Sequence, residues 1–294
     1  MSNPGNISAD ANPVWHCRGQ VLRFDARPLI MGILNVTPDS FSDGGRLADP
    51  GAAIAYGLQM AQDGADIIDI GGESTRPGAA PVPAEIESAR ILPVLRGLAG
   101  QTACRLSVDT TKAAVAAAAL DAGAQIVNDI SALTADPAMA ALARRHNAGV
   151  ILMHRQGLPA TMQDNPRYGD VVREVAAWLR QRVAAAVAAG LDPRTLAVDP
   201  GIGFGKTTRH NLQLLANPAA AGVPGRPLVI GLSRKRFLGE ITGRGQPADR
   251  LPATLAALAW VIPAGAQVLR VHDVAAARDA VLVVQALRKE RAAS

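Results

Sequence analysis

The chain has 294 residues, of which 49% are hydrophobic and 19% are charged, and its formal net charge is +5. This composition is typical of a globular protein with a large core, built as two domains or as one barrel of about 250 residues. The basic residues are scattered, without a dense run or interleaved aromatic residues, so we do not expect nucleic-acid binding. No segment approaches the roughly 18 uninterrupted apolar residues of a membrane span, so no membrane partner is expected either.

The N-terminal segment is polar, and residues 1–13 lack the basic and apolar regions of a signal peptide. Cys17 and Cys104 show neither metal-ligand spacing nor a disulfide framework. We therefore expect a cytoplasmic protein whose residues 1–27 form an N-terminal extension. Within that extension, residues 15–24 (WHCRGQVLRF) could form a small hairpin.

Eight short apolar, β-branched runs recur along the chain, separated by alanine-rich segments with helical periodicity. Near-continuous hydrophobicity is typical of strands buried on both faces, as in parallel sheets. Eight strands alternating with helices predict one α/β domain over residues 28–290, a (β/α)8 TIM barrel; a doubly wound open sheet is the alternative fold. The runs cover residues 28–36, 65–72, 104–110, 125–131, 148–154, 195–201, 227–233 and 266–273.

Each run is apolar through its body and polar at its carboxyl end. One or two such residues would be ordinary helix caps, but caps do not explain polar residues at all eight ends. In a barrel these ends converge on one mouth, where active sites of this fold lie. The polar residues are Asn35, Asp69, Asp109, Asn128, Asp129, His154, Asp199, Ser233, Arg234, Lys235, Arg270, His272 and Asp273.

The stretch DPGIGFGKTT (199–208) looks like a phosphate-binding P-loop, but Pro200 stands where that pattern needs its first glycine. A nucleotide hydrolase is therefore not indicated. The chain has only four lysines, and Lys206 and Lys235 both follow strand ends, where a compact ammonium would be useful. Chance placement on a solvated helix start is the alternative, above all for Lys206.

Three of the four phenylalanines also lie just beyond strand ends, at Phe41, Phe204 and Phe237. Core packing is the usual role of such residues. A flat ligand at the mouth is the competing interpretation.

These residues together resemble the dihydropteroate synthases. The resemblance covers about residues 28–275 and keeps the family's order of motifs. It is carried by MGILNVTPDSFSDGG (31–45), GADIIDIGGESTRPGA (64–79), SVDT (107–110), NDIS (128–131), LMHRQGLPATMQ (152–163), DPGIGFGK (199–206), GLSRKRFLG (231–239) and RVHDV (270–274). The family is a TIM barrel that joins 4-aminobenzoate to a dihydropterin diphosphate, releases pyrophosphate and makes dihydropteroate for folate synthesis.

The resemblance implies a pterin site. Asp109, Asn128 and Asp199 would read the guanidine-like edge of the pterin, and Lys235 would donate to its carbonyl and ring-nitrogen edge. These four residues are the expected catalytic groups. Phe204 would help to wall the pocket, and Gly201, Gly203 and Gly205 would let the backbone pass close to the planar ring.

The resemblance also implies sites for the diphosphate and for the second substrate. Arg270 and His272, with Val271 between them, and Arg76 beside Thr75 would hold the diphosphate. Asn35 resembles the family's Mg²⁺ ligand. The other expected contacts are Phe41 and Pro77 for the 4-aminobenzoate slot, and Ser233 near its carboxylate.

Two loops rich in glycine and proline, VTPDSFSDGGR and STRPGAAPVP, would close over the mouth. The family tends to dimerise, so a homodimer is expected. Two other functions stay open: a catalytically silent pterin-binding paralogue, and a pterin-barrel methyltransferase that does not need the two loops.

Overall fold

The computed structural model describes residues 13–37, 49–74, 80–157 and 161–293, in which strands and helices alternate. The strands are β1 (Trp15–Cys17), β2 (Gln20–Leu22), β3 (Leu29–Asn35), β4 (Ile67–Gly71), β5 (Arg105–Asp109), β6 (Ile126–Asp129), β7 (Gly149–Met153), β8 (Leu196–Asp199), β9 (Val229–Gly231) and β10 (Val268–Val271). The helices are α1 (Pro50–Asp63), α2 (Ala84–Leu98), α3 (Ala113–Asp121), α4 (Met139–His146), α5 (Val171–Ala188), α6 (Thr208–Ala216), α7 (Pro218–Ala221), α8 (Arg236–Thr242), α9 (Leu251–Val261) and α10 (Val274–Ala293).

Strands β3 to β10 form one parallel sheet in the order β8-β7-β6-β5-β4-β3-β10-β9. Each of the eight lies inside one of the runs predicted from the sequence. The two edge strands meet at a bridge between Val198 and Leu228, and the Val198 amide donates to Pro227 O at 2.9 Å. The sheet is therefore a nearly closed (β/α)8 barrel, which confirms the predicted fold over the open-sheet alternative.

Strand alternation divides the apolar residues into two layers. Side chains at alternate positions of each strand point outward and pack against the helices, as do Ile68, Val108 and Leu269. The side chains between them point inward and fill the lower part of the barrel lumen, as do Met31 and Ile67. Because side chains alternate along a strand, the polar residues two positions beyond the lower lumen layer also point into the lumen, nearer the mouth.

An antiparallel hairpin, β1 and β2, covers the amino-terminal end of the barrel within the predicted segment 15–24. Trp15 and Cys17 are fully buried in the lower lumen cluster. Trp15 Nε1 donates to Thr195 O at 2.8 Å, immediately before β8. The carboxyl ends of the strands, where the candidate site residues gather, lie at the opposite end of the barrel.

Local signals set the helix ends. Asp49 caps α1 by accepting from the Ala52 amide at 2.8 Å, and Gly64 ends that helix in the left-handed conformation. Asp170 caps α5 by accepting from the Arg173 amide. Among the described residues, no helix combines the length and apolar character that crossing a membrane requires.

Candidate active site

Four polar residues in the upper lumen are linked by hydrogen bonds that centre on Asp69 and Arg270. Arg270 donates from Nε to Asp69 Oδ2 and from Nη2 to Asp109 Oδ2, both at 2.7 Å. Asn128 Nδ2 donates to the same Asp69 oxygen at 3.0 Å. The predicted pterin readers Asp109 and Asn128 are therefore brought together, and Arg270 stands between two carboxylates.

The carboxylates of Asp69 and Asp109 each have one oxygen that these hydrogen bonds do not use. Asp69 Oδ1 and Asp109 Oδ1 are buried and have no hydrogen-bond partner among the described residues. Burial raises the pKa of the Asp109 carboxyl to about 7, although the charge of Arg270 opposes the shift. A buried acceptor without a donor is unfavourable, so the pair is suited to a ligand that brings N–H groups.

Asp199 ends β8 and begins the glycine-rich loop. Its Oδ1 accepts from the Gly201 amide at 2.6 Å, and its side chain is buried. Burial raises the pKa of this carboxyl, against the opposing hydrogen bond from Gly201. Asp199 thus joins the lumen group, as predicted.

The loop glycines pack closely against protein. A Cβ built on Gly201 would overlap the carbonyl oxygen of His154, and one on Gly205 would overlap that of Gln156. Both have positive φ values, +67° and +61°. These two glycines let the loop pass close to the neighbouring backbone after β7. Gly203 faces protein as well, because its Cβ would lie 3.2 Å from Lys235 Cδ.

Lys206 is not on a solvated helix start. Its side chain is 3% exposed, and its ammonium donates to Gly201 O at 2.9 Å and to Phe204 O at 3.0 Å. It also lies 3.0 Å from His154 Nδ1. Chance placement at the surface is therefore wrong for this residue.

Lys235 and Phe204 meet at the mouth. The ammonium of Lys235 lies 4.3 Å from the centroid of the Phe204 ring, and both side chains are half-buried. The charge of Lys235 acts on the carboxyl of Asp199, so this pair lies close to that residue. Phe237, by contrast, is 3% exposed and packs in the outer core, so for this residue core packing is the correct interpretation.

The side chains of the RVH stretch (270–272), at the end of β10, point alternately towards the lumen and the outer core. Val271 is buried in the outer core, so its side chain does not reach the mouth. His272 lies at the mouth with Ser233: its amide donates to Ser233 Oγ at 3.2 Å, and its Nδ1 lies 3.1 Å from the same oxygen. The neighbouring residues Arg234 and Asp273 form an ion pair between the ends of β9 and β10.

Asn35 ends β3 beside Gly71. A Cβ built on Gly71 would lie 3.8 Å from Asn35 Oδ1 and 3.9 Å from Asp109 Cγ. Because Gly71 has no side chain, the Asn35 amide oxygen and the Asp109 carboxyl face a shallow space above it, which we call the cradle. Within the described ranges, no three histidine, cysteine or acidic side chains cluster as a protein-only metal site.

Sequence reasoning missed two features. The first is the role of Asp69 as the acceptor for both Asn128 and Arg270. Its position two residues after Ile67, on the same side of the strand, is the sequence signal for it. The second is a cluster in which Lys112 Nζ lies 2.5 Å from both Glu73 Oε2 and Glu87 Oε2, although Glu87 is fully buried. It depends on residues far apart in sequence. The predicted site residues Phe41, Thr75, Arg76 and Pro77 lie outside the described residues, as do most of the two predicted loops.

The sequence and the fold match a known class of enzyme. The family model described as "Pterin binding enzyme" matches residues 31–272. The chain is 46% identical over 282 residues to the dihydropteroate synthase of Neisseria meningitidis serogroup B, covering 94% of this chain and 98% of that protein. It is 48% identical over 263 residues to that of Mycobacterium leprae, covering 87% and 92%.

Solved structures agree. The dihydropteroate synthase of Xanthomonas albilineans with 4-aminobenzoic acid superposes with a TM-score of 0.87 at 48% identity, covering 95% of this chain and 99% of that chain. The Yersinia pestis dihydropteroate synthase in a sulfonamide drug complex gives a TM-score of 0.90 at 41% identity, covering 94% and 99%. The chain belongs to the dihydropteroate synthase family.

Proposed function

We propose that this protein condenses (7,8-dihydropterin-6-yl)methyl diphosphate with 4-aminobenzoate to give 7,8-dihydropteroate and pyrophosphate, in folate biosynthesis. Family membership supports the reaction. So does the Xanthomonas albilineans relative of 46% identity and TM-score 0.83 that was solved in complex with 7,8-dihydropteroate.

One observation carries the pterin assignment: the two buried carboxylate oxygens that have no donor within the described part of the chain, Asp69 Oδ1 and Asp109 Oδ1. A pterin presents ring N–H and amino donors on one edge and acceptors on the next. The carboxylates accept from the first edge, and Asn128 and Lys235 can donate to the second. A pterin therefore supplies the donors that these two oxygens need.

The same groups serve the chemistry. The bond between the pterin methylene and the diphosphate oxygen breaks, and its electron pair leaves with the diphosphate. The amine lone pair of 4-aminobenzoate then forms the new C–N bond, and the amine loses one proton. Positive charge that develops on the pterin between these events is stabilised by the fixed carboxylates of Asp109 and Asp199, which need no reorganisation.

His272 is the described residue that we assign to the diphosphate, because it lies at the mouth beside Ser233. Arg270 is already shared between Asp69 and Asp109, so its removal would leave two carboxylates unbalanced and disturb the pterin site as well. His272→Ala should impair turnover of the diphosphate substrate more than binding of a free pterin. His272→Asn, which can keep a hydrogen bond to Ser233, is the matched variant. Equal losses for both ligands would remove His272 from the diphosphate site.

Mg²⁺ fits the cradle over Gly71. Asn35 would hold the ion through its Oδ1, next to the Asp109 carboxyl, with the substrate's phosphate oxygens completing an oxygen-rich set. When bound, the ion neutralises charge on the departing diphosphate. Removal of Mg²⁺ by a chelator should abolish turnover and addition should restore it; full activity in chelator would rule out the metal.

A single assay separates the three candidate functions. A synthase releases pyrophosphate only when 4-aminobenzoate and the pterin diphosphate are both present. A silent paralogue binds pterin without releasing pyrophosphate, and a methyltransferase ignores 4-aminobenzoate. A sulfonamide should inhibit in competition with 4-aminobenzoate; release of pyrophosphate that does not depend on 4-aminobenzoate would overturn the proposal.

We also propose a homodimer. Helices α9 and α10 pack against each other and carry exposed apolar side chains, among them Trp260 (62% exposed) and Leu287 (66% exposed). An apolar surface of this kind is typical of a self-association site.

A further inference from the structure

The loop from Asp199 to Lys206 keeps its shape through side chains that bind its backbone. Gln163 Nε2 donates to Gly203 O, and Tyr168 donates to Gly205 O at 2.9 Å. Asn211 Oδ1 accepts from the Gly203 amide at 2.7 Å.

Further bonds come from inside the loop, where the ammonium of Lys206 turns back to Gly201 O and Phe204 O. One of these carbonyls lies two residues after the pterin reader Asp199, and the other belongs to the pocket wall Phe204.

His154 provides the third contact of that ammonium. Its backbone amide donates to Asp199 O at 2.9 Å, and its ring packs edge-on to Trp178 with centroids 4.9 Å apart. Burial, with the charge of Lys206, lowers the pKa of His154 to about 3. The ring is therefore neutral, accepts at Nδ1 from Lys206, and carries its proton on Nε2.

The ammonium thus has neutral hydrogen-bond partners, while charged groups lie further away. Asp199 on β8 favours its charge and Lys235, before α8, opposes it; His210 on α6 senses the same charge. Burial is the largest influence and lowers the pKa of Lys206 to about 7. The contacts of Lys206 are with His154, Gly201 and Phe204, so this ammonium lies behind the proposed pterin pocket.

We propose that Lys206 and His154 are positioning residues for pterin binding: the buried ammonium, held by the imidazole, fixes Gly201 and Phe204 and so aims the Asp199 carboxylate at the pterin. The inference rests on the proposed function, because it concerns the same pterin. It goes beyond that function because it predicts that Lys206 and His154, which lie behind the pocket, affect the affinity for pterin. It also predicts that the effect depends on the charge of Lys206.

The charge dependence can be measured directly, because the chain has only four lysines. Selectively isotope-labelled lysine gives four NMR signals, and the one missing in Lys206→Met is that of Lys206. Its titration should have a midpoint near neutral pH in the free protein. Binding is reciprocal, so a pterin that prefers the charged amine must raise this midpoint, by about one unit if the preference is tenfold. A midpoint that does not move when 6-hydroxymethylpterin saturates the protein would overturn the proposal.

Variants test the positioning itself. Calorimetry with 6-hydroxymethylpterin should show a loss of affinity of about tenfold or more for Lys206→Met and for His154→Leu. His154→Asn places an acceptor where Nδ1 lies and should restore most of the affinity. Trp15→Phe is the matched control, since it removes one buried hydrogen bond at the opposite end of the barrel and should leave pterin affinity unchanged.

The outcomes separate the two proposals. If the wild-type protein does not bind the pterin, the proposed function fails. If the wild type binds and His154→Leu binds equally well while folded, the pterin assignment stands and the positioning role is wrong. The comparison of His154→Leu with His154→Asn keeps the test decisive should Lys206→Met not fold.

Discussion

At the scale of single residues, the upper lumen holds carboxylates in an arrangement that lowers stability. Asp69 and Asp109 each bury one oxygen without a donor in the described parts of the chain. An unsatisfied buried polar atom costs about 1–3 kcal/mol. Such a cost is expected where a site is organised for a ligand, since the ligand supplies the missing bonds.

Asp199→Asn tests the pterin assignment. The amide can keep the hydrogen bond from Gly201 through its oxygen, but it turns the other carboxylate oxygen into a donor that faces ring N–H groups. A mispaired buried group costs about 1–3 kcal/mol, so pterin affinity measured by calorimetry should fall about tenfold or more. Asp129→Asn is the control, because Asp129 bonds Ser131 and Leu133 in its own loop. It should lower stability and spare pterin affinity; unchanged affinity in Asp199→Asn would remove that residue from the site.

Asp109→Asn tests the pH dependence of the ligand-free protein. The folded-state pKa of Asp109 is raised to about 7, so the folded protein binds a proton that the unfolded chain has already lost. Its contribution to stability is therefore fully present below the unfolded pKa and lost as pH rises through about 7. Asp109→Asn should consequently melt higher than the wild type at about pH 8, lose this advantage in acid, and lose activity. A variant less stable than the wild type throughout this range would show that Arg270, not burial, dominates the environment.

At the scale of elements, local pattern was enough for the strands but not for the contacts between their loops. The eight apolar runs each contain a barrel strand because near-continuous hydrophobicity is a property of consecutive residues. Which residues meet depends on register. Lys206 and His154 are 52 positions apart and touch because β7 and β8 pair with Met153 opposite Asp199. The same register turns Gly201 towards the backbone of His154, which no pattern in the glycine-rich loop itself indicates.

Gly201→Ala tests this close loop packing. The substitution combines a left-handed backbone, φ +67°, with a Cβ that overlaps the His154 carbonyl. Gly225 is the matched control, since its φ is +73° but a Cβ there would meet nothing within 4 Å. The control should cost about 1 kcal/mol in unfolding free energy from backbone strain alone, and Gly201→Ala clearly more. Equal losses by denaturant unfolding would mean that the two loops can separate without cost.

At the scale of the whole molecule, the barrel separates stability from function along its axis. The hairpin and the lower lumen cluster fill the amino-terminal end with apolar side chains. The carboxylates, cations and amide of the site occupy the carboxyl-terminal end, where loops can differ without disturbing the core. Helices surround the barrel and cover the outer surface of the sheet. Apolar side chains that stay exposed on these helices therefore indicate where a partner could bind.

The apolar surface of α10 leads to the last prediction, on assembly. Val283 is 59% exposed and Leu287, one turn further along the helix, is 66% exposed. Two such side chains on one face would be covered by the same surface of a second copy related by a two-fold axis. Analytical ultracentrifugation should then show a dimer for the wild type.

Val283→Glu with Leu287→Glu should convert that dimer to a monomer, because each unpaired charge would be buried in the interface. Ile241→Glu is the control: Ile241 is 54% exposed on α8, outside this surface, and its variant should stay dimeric. Pterin affinity should be the same in monomer and dimer, since the described lumen groups come from one chain. A monomeric wild type, or a dimer that survives both substitutions on α10, would show that this surface has another role.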